Sequence, residues 1–83
     1  MEYLENLRVA QYDNSNTEIA EFLKKHKGNK GRPSHFSDVF VLCENGEFTK
    51  ATYGKYTQIS EPSFLVNKNG LIITLNDVKH WTY

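Results

Sequence analysis

Two Asn-Gly pairs constrain this chain more than any other feature. Asn45-Gly46 follows the apolar run Val39-Phe40-Val41-Leu42-Cys43, and Asn69-Gly70 separates Phe64-Leu65-Val66 from Leu71-Ile72-Ile73. Asn-Gly between apolar runs is the strongest short hairpin signal, because both residues accept the positive φ of a tight turn. Each pair therefore predicts an antiparallel hairpin: Val39–Glu44 with Glu47–Tyr53, and Phe64–Asn67 with Leu71–Leu75. The first of these strands is apolar on both faces and so is expected in the middle of a sheet. Gly54 ends the second. Tyr56–Ile59 is expected as a short strand or an extended connection. Asn76-Asp77 reads as a turn or a helix cap, and Val78–Tyr83 closes the chain, with Trp81 as a lid over the core.

The N-terminal third reads differently. Leu7 to Tyr12 alternates apolar and polar, which predicts a first strand. Ser15-Asn16-Thr17-Glu18 fits a capping box with Ser15 as N-cap and Glu18 three residues on. The helix then runs to about Lys27, with Ile19, Phe22, Leu23 and His26 on one face. Glu18 and Glu21 sit near its start and Lys24, Lys25 and Lys27 near its end, matching the helix dipole. Gly28 is the expected left-handed residue after the helix, and Gly28 to Ser37 is a loop. With 83 residues the chain is one domain, 1–83, too short for a Rossmann domain or a (β/α)₈ barrel. The expected class is α+β: one helix packed on a small curved antiparallel sheet of about five strands, in the order β-α-β-β-β-β.

Val9-Ala10-Gln11-Tyr12-Asp13, followed by Glu18-Ile19-Ala20-Glu21-Phe22-Leu23, resembles the opening of a family of small, mostly uncharacterised phage and prophage proteins. Those begin with a strand ending in Gln and an aromatic, then an Asn-containing turn, then a Glu-Ile-x-x-Phe-Leu helix. The late Pro62-Ser63-Phe64-Leu65-Val66, Gly70, Trp81 and Tyr83 resemble the family's closing strand, hairpin and aromatic-Tyr end. The family's Gly-Asp pair after the proline is missing, and the loop from Gly28 to Ser37 has no counterpart. The resemblance implies a phage or prophage origin and action in the host cytoplasm. It implies no catalytic residue, because the matched positions read as turn, core and hairpin.

Several classes of chemistry are not expected. The single cysteine, Cys43, lies in an apolar strand and reads as a small core hydrophobe, which fits a reducing compartment better than a secreted one. The acidic start, Met1-Glu2-Tyr3-Leu4-Glu5, does not resemble a secretory leader, and no run has the ~18 apolar residues of a membrane span. His26, His35 and His80 have no metal-ligand spacing, so neither a metal nor another cofactor is predicted. Asp38, Glu44, Glu47 and Glu61 are scattered carboxylates, and adjacent Ser34 and His35 point to opposite faces on an extended chain. The chain is read as non-enzymatic.

Ten Lys+Arg balance ten Asp+Glu, yet five of the ten cations fall between Lys24 and Arg32, uninterrupted by acid. A neutral chain with its charge so divided can hold a strong local positive potential. Lys24, Lys25, Lys27, Lys30 and Arg32 are therefore the candidate ligand-binding residues, with His35 as an added donor. Glycines there would let backbone N–H groups approach an anion, and Arg32 could grip a phosphate with both arms. Tyr12 and Tyr56 are candidates to stack a base while the cations hold phosphate. The plain alternative is a solvated helix end and an idle loop, with the tyrosines at sheet edges or in a self-association surface.

These features give a first functional expectation: a non-catalytic, phage-derived counter-defence or host-takeover protein that sequesters a phosphorylated small molecule such as a nucleotide signal. A site on so small a chain is expected at a homo-oligomer interface. The second is an inhibitor that binds a host nuclease or defence effector, anti-CRISPR-like, through the basic loop. Direct nucleic-acid binding ranks third, because the patch is short and the rest of the chain acidic. No membrane partner is expected.

Overall fold

The computed structural model describes residues 4–26, 28–57 and 59–83. Its elements are α1 (Thr17–His26), β1 (Ser37–Cys43), β2 (Phe48–Gly54), β3 (Ser63–Lys68), β4 (Leu71–Leu75) and β5 (Val78–Thr82). The five strands form one antiparallel sheet in the order β4-β3-β2-β1-β5. Both hairpins form where the Asn-Gly pairs stand, but by different turns. Asn69 (φ 55°) and Gly70 (φ 87°) both take positive φ between the paired residues Lys68 and Leu71, a two-residue type I′ turn. At the first hairpin only Gly46 does (φ 89°). Its N–H bonds Cys43 O at 2.9 Å, and Cys43 N–H bonds Glu47 O at 2.8 Å, which makes a longer loop with one extra residue.

The class is α+β, but the expected strand order is not what forms: all five strands follow the helix. Leu7, expected in a first strand, lies in a 3-10 turn (Asn6–Arg8) with its side chain in water. The physical reason lies in the sheet. β2 and β3 pair only from Thr52–Leu65 to Gly54–Ser63 and then part. The segment from Ala10 to Asp13 fills the gap. Ala10 O and Tyr12 N–H bond the backbone of Asn67 (2.9 and 2.8 Å), and Asp13 O accepts from Lys50 N–H at 3.0 Å. Buried Thr52 Oγ1 accepts from Ala10 N–H (2.8 Å) and donates to Asp38 (2.7 Å), while Thr49 Oγ1 accepts from Asp13 N–H (3.1 Å). The segment is a wedge that completes the peptide bonding of parted strands, with a single parallel bridge at Gln11–Asn67.

The helix starts one residue later than the capping box predicts. Asn16 Oδ1 caps Ile19 N–H at 3.2 Å. Ser15 is unavailable, because its N–H (2.9 Å) and hydroxyl (2.6 Å) both donate to Asp13 Oδ1. Those bonds hold the Asp13 carboxyl below its ordinary pKa. Leu23 is the fully buried anchor of α1 and packs with Leu42 and Phe48, flanked by Ile19, Ala20 and Phe40. Phe22, expected on the same buried face, is largely exposed. Lys27 and Gln58 lie outside the described residues. Gly28 is not left-handed. Close approach requires it: a Cβ there would overlap Leu23 Cδ2 and sit 2.8 Å from Trp81 O. Among the described residues of the connection around Tyr56, no strand forms.

The sheet is sharply curled. In a flat sheet of this register, Leu75 on β4 and Val78 on β5 would sit at diagonal corners, roughly 28 Å apart at ~4.8 Å per strand and ~3.3 Å per residue. Three peptide steps reach at most ~11 Å. The curl brings those corners together around a core of Val39, Val41, Ala51 and Trp81, with Phe64, Leu75 and Val78 packed against it. The opposite face carries α1 at one end and, at the other, a cluster of Leu4, Val9 and Leu65 with Phe36 and Ile72.

Candidate functional site

The basic loop follows β5. Asn29 and Trp81 exchange backbone bonds (Asn29 N–H to Trp81 O 2.8 Å; Trp81 N–H to Asn29 O 3.0 Å). Trp81 Nε1–H donates to Gly31 O at 3.1 Å, and Ser34 N–H donates to Tyr83 Oη at 3.2 Å. The contact with Ser34 lowers the Tyr83 phenol pKa. Pro33 is buried, and Phe36 N–H bonds Tyr53 O at 2.6 Å. Gly31 has φ 83°, a conformation that favours glycine. So Asn29, Ser34 and Phe36 commit their N–H groups within the chain. The side chains are another matter: Lys24, Lys25, Lys30 and Arg32 are exposed and form no ion pair among the described residues.

The sequence-predicted site residues are spread over several places. Lys24 and Lys25 project from α1, and Lys30 and Arg32 from the loop beside β5. His35 is exposed, with its ring 6.0 Å from that of Phe36 and 5.8 Å from that of Tyr53. Tyr12 lies against β3, under Lys68 Nζ, which sits 4.8 Å from its ring centroid. Tyr56 is partly exposed in the β2–β3 connection. Tyr12 thus has a cation of its own, outside the basic stretch.

What the fold does assemble is a cleft of about 230 Å³ between α1, the β1–β2 turn and β5. Leu23, Leu42 and Cys43 supply its apolar wall, and Lys24, Lys79 and Glu44 its charged groups. His80 lines it too, is only 3% exposed, and its Nδ1 has no hydrogen-bond partner among the described residues. A buried polar atom without a partner costs about 1–3 kcal/mol. The Cys43 thiol is pushed up to about 12 by burial first and then by the neighbouring Asp77 and Glu47 carboxylates. It stays a neutral thiol across the physiological range. Lys24 and Lys79 thus bring two cations to a lining that includes Glu44, with the Asp77 and Glu47 carboxylates behind it at the Cys43 thiol.

Lys79 is absent from the sequence reading, and His80 enters it only as a metal-ligand candidate. Their place depends on β5 pairing with β1, where His80 stands opposite Leu42. No spacing in the sequence reports that contact; the only available signal was two basic-type residues beside the Val78–Trp81 run. Among the described residues no group of three or more His, Cys, Asp or Glu is placed to hold a metal ion. No described helix is long and apolar enough to cross a membrane. No protein-family model matches the chain, and no curated protein or solved structure is significantly similar to it.

Proposed function

We infer that this protein binds a small phosphorylated ligand and sequesters it without transforming it. The observation that carries this reading is the convergence of Lys24 from α1 with Lys79 and His80 from β5 on one cleft. Ammonium groups hold phosphate as point charges, and an apolar wall suits the uncharged part of a ligand. The exposed Lys25, Lys30 and Arg32 extend the positive field beyond the cleft. At about 230 Å³ the cleft is smaller than the ~300–1,000 Å³ of sites that enclose a drug-sized ligand. It suits a phosphate-bearing head, with the rest of a nucleotide lying outward, against the basic loop or a second copy of the chain. With the phage resemblance, the biological reading is counter-defence or host takeover in the cytoplasm by removal of a nucleotide signal.

Calorimetric titration with cyclic and linear nucleotides tests this. A saturable heat is expected with at least one of them, lost in the double variant Lys24→Gln/Lys79→Gln. At a hundredfold excess over Kd the ligand should stabilise the fold by about 2.7 kcal/mol. No heat and no shift in thermal midpoint across the panel would overturn the reading.

A second reading has its own support. Leu7 and Ile59 are 96% and 95% exposed, large apolar side chains that a protein partner would cover. A stoichiometric host protein captured from lysate, insensitive to nuclease and nucleotide, would favour an inhibitor of a defence effector.

A further inference from the structure

Among the described residues the sheet has one covered edge and one bare edge. On β5, both backbone groups of Trp81 are taken by Asn29. β4 is the other edge, paired only with β3 among the described residues. Edge strands in natural proteins are usually guarded by charges, proline or bulges. β4 reads Leu71-Ile72-Ile73-Thr74-Leu75, with none of these, and Leu71 is 69% and Ile73 38% exposed.

We propose that β4 pairs with β4 of a second copy of this chain, antiparallel about a two-fold axis at Ile73. The hairpin fixes which groups are free. In a two-residue hairpin the closing pair, here Lys68–Leu71, is hydrogen-bonded, and bonded and non-bonded pairs then alternate. Ile72 and Thr74 therefore turn their N–H and C=O outward. With the axis at Ile73, Ile72 of each copy exchanges hydrogen bonds with Thr74 of the other.

The side chains agree with this register. Leu71 faces Leu75 of the second copy, and Ile73 faces itself. Through β3 the rows of Ile73 and Leu75 continue into Val66 and Phe64, while Leu71 stands opposite Lys68, so the exposed Ile73 extends an existing apolar surface. Because β4 carries no charge, a two-fold axis opposes no like charges, the usual obstacle to self-pairing. Moving the axis to Thr74 would set Leu71 against Asp77, and moving it to Ile72 would set Leu75 against the turn residue Asn69. Covering of the β5 edge selects the assembly as well. A chain with two open edges can add copies head to tail without end, whereas one with a single open edge closes as a dimer. This proposal does not rest on the anion reading, since none of its residues lines the cleft.

Sedimentation equilibrium of the full chain tests it. The expected mass is that of two 9.6 kDa chains. Ile73→Lys, which opposes two ammonium groups at the axis, should shift the protein to monomer while its far-ultraviolet circular dichroism is retained. Should that variant fail to fold, Ile73→Cys gives an independent readout. A short bis-maleimide should join two copies at position 73 and not at the more exposed control Ile59→Cys, with Cys43 inert in its buried strand. A monomeric wild type at hundred-micromolar concentration, a dimer that survives folded Ile73→Lys, or equal cross-linking at both positions would overturn the proposal. Nucleotide calorimetry on the monomeric variant reads the anion site separately.

Discussion

The two edges of the sheet meet water in opposite ways. β5 is overlaid by the loop from Asn29 to Ser34, which bonds Trp81 through both backbone and indole and meets Tyr83 through Ser34. β4 has no such cover among the described residues and presents aliphatic side chains instead. The loop that guards β5 is the same loop that carries Lys30 and Arg32. Its backbone has a structural task, while its cations have no partner in the described chain. A basic loop therefore need not be either idle or functional as a whole: main chain and side chains answer to different demands. The bare edge has no comparable internal task, which is why its surplus is read as contact with another chain.

Breaking the covered edge should produce the largest effect. Trp81→Ala removes a buried aromatic and the indole bond to Gly31 together. A loss of about 3–5 kcal/mol is expected in denaturant unfolding. Amide exchange in residues 29–34 should rise more than in β4. Equal change at both edges would mean that the loop is not held by Trp81.

The hairpins were legible in the sequence because Asn-Gly turns are local chemistry, and Asn69-Gly70 takes the positive φ angles of a two-residue turn. The helix was legible for the same reason, with its cap displaced by one residue when Asp13 engaged Ser15. The alternation from Leu7 to Tyr12 misled, because the extended wedge at Ala10–Asp13 is shaped by where β2 and β3 part. Lys24 was legible as part of a charge run, but Lys79 and His80 join it only through β1–β5 pairing. Sequence spacing reports neighbours along a strand and is silent about the strand beside it.

A smaller, pH-dependent effect sharpens the comparison at the join of β1 and β5, where Cys43 pairs with Val78. The folded thiol titrates at about 12 against an ordinary 9.0. Between those values the unfolded chain has lost a proton that the folded chain keeps, so stability falls as pH rises. The slope from this group is about 1.4 kcal/mol per pH unit at most, is half of that at pH 9, and fades below it. Unfolding of wild type and Cys43→Ala compared from pH 8 to 11 should show a steeper fall for wild type. Parallel curves would show that the folded thiol ionises normally.

The smallest effect is expected at the tether of the loop. Tyr83→Phe removes the phenolic oxygen that accepts from Ser34 N–H. Because the contact is exposed, only a slight fall in the thermal midpoint should result, with local loosening at Ser34. A loss as large as that of Trp81→Ala would place the tether in Tyr83 instead.

The most direct test of ligand binding beside the covered edge is a nucleotide titration of isotopically labelled protein followed by amide resonances. If Lys24, Lys79 and His80 hold a phosphorylated ligand, saturable shifts should appear at Lys24, at Glu44–Gly46, at Lys79 and His80, and along the basic loop, while β4 stays still. Absence of saturable shifts with every nucleotide, or shifts confined to β4, would contradict it.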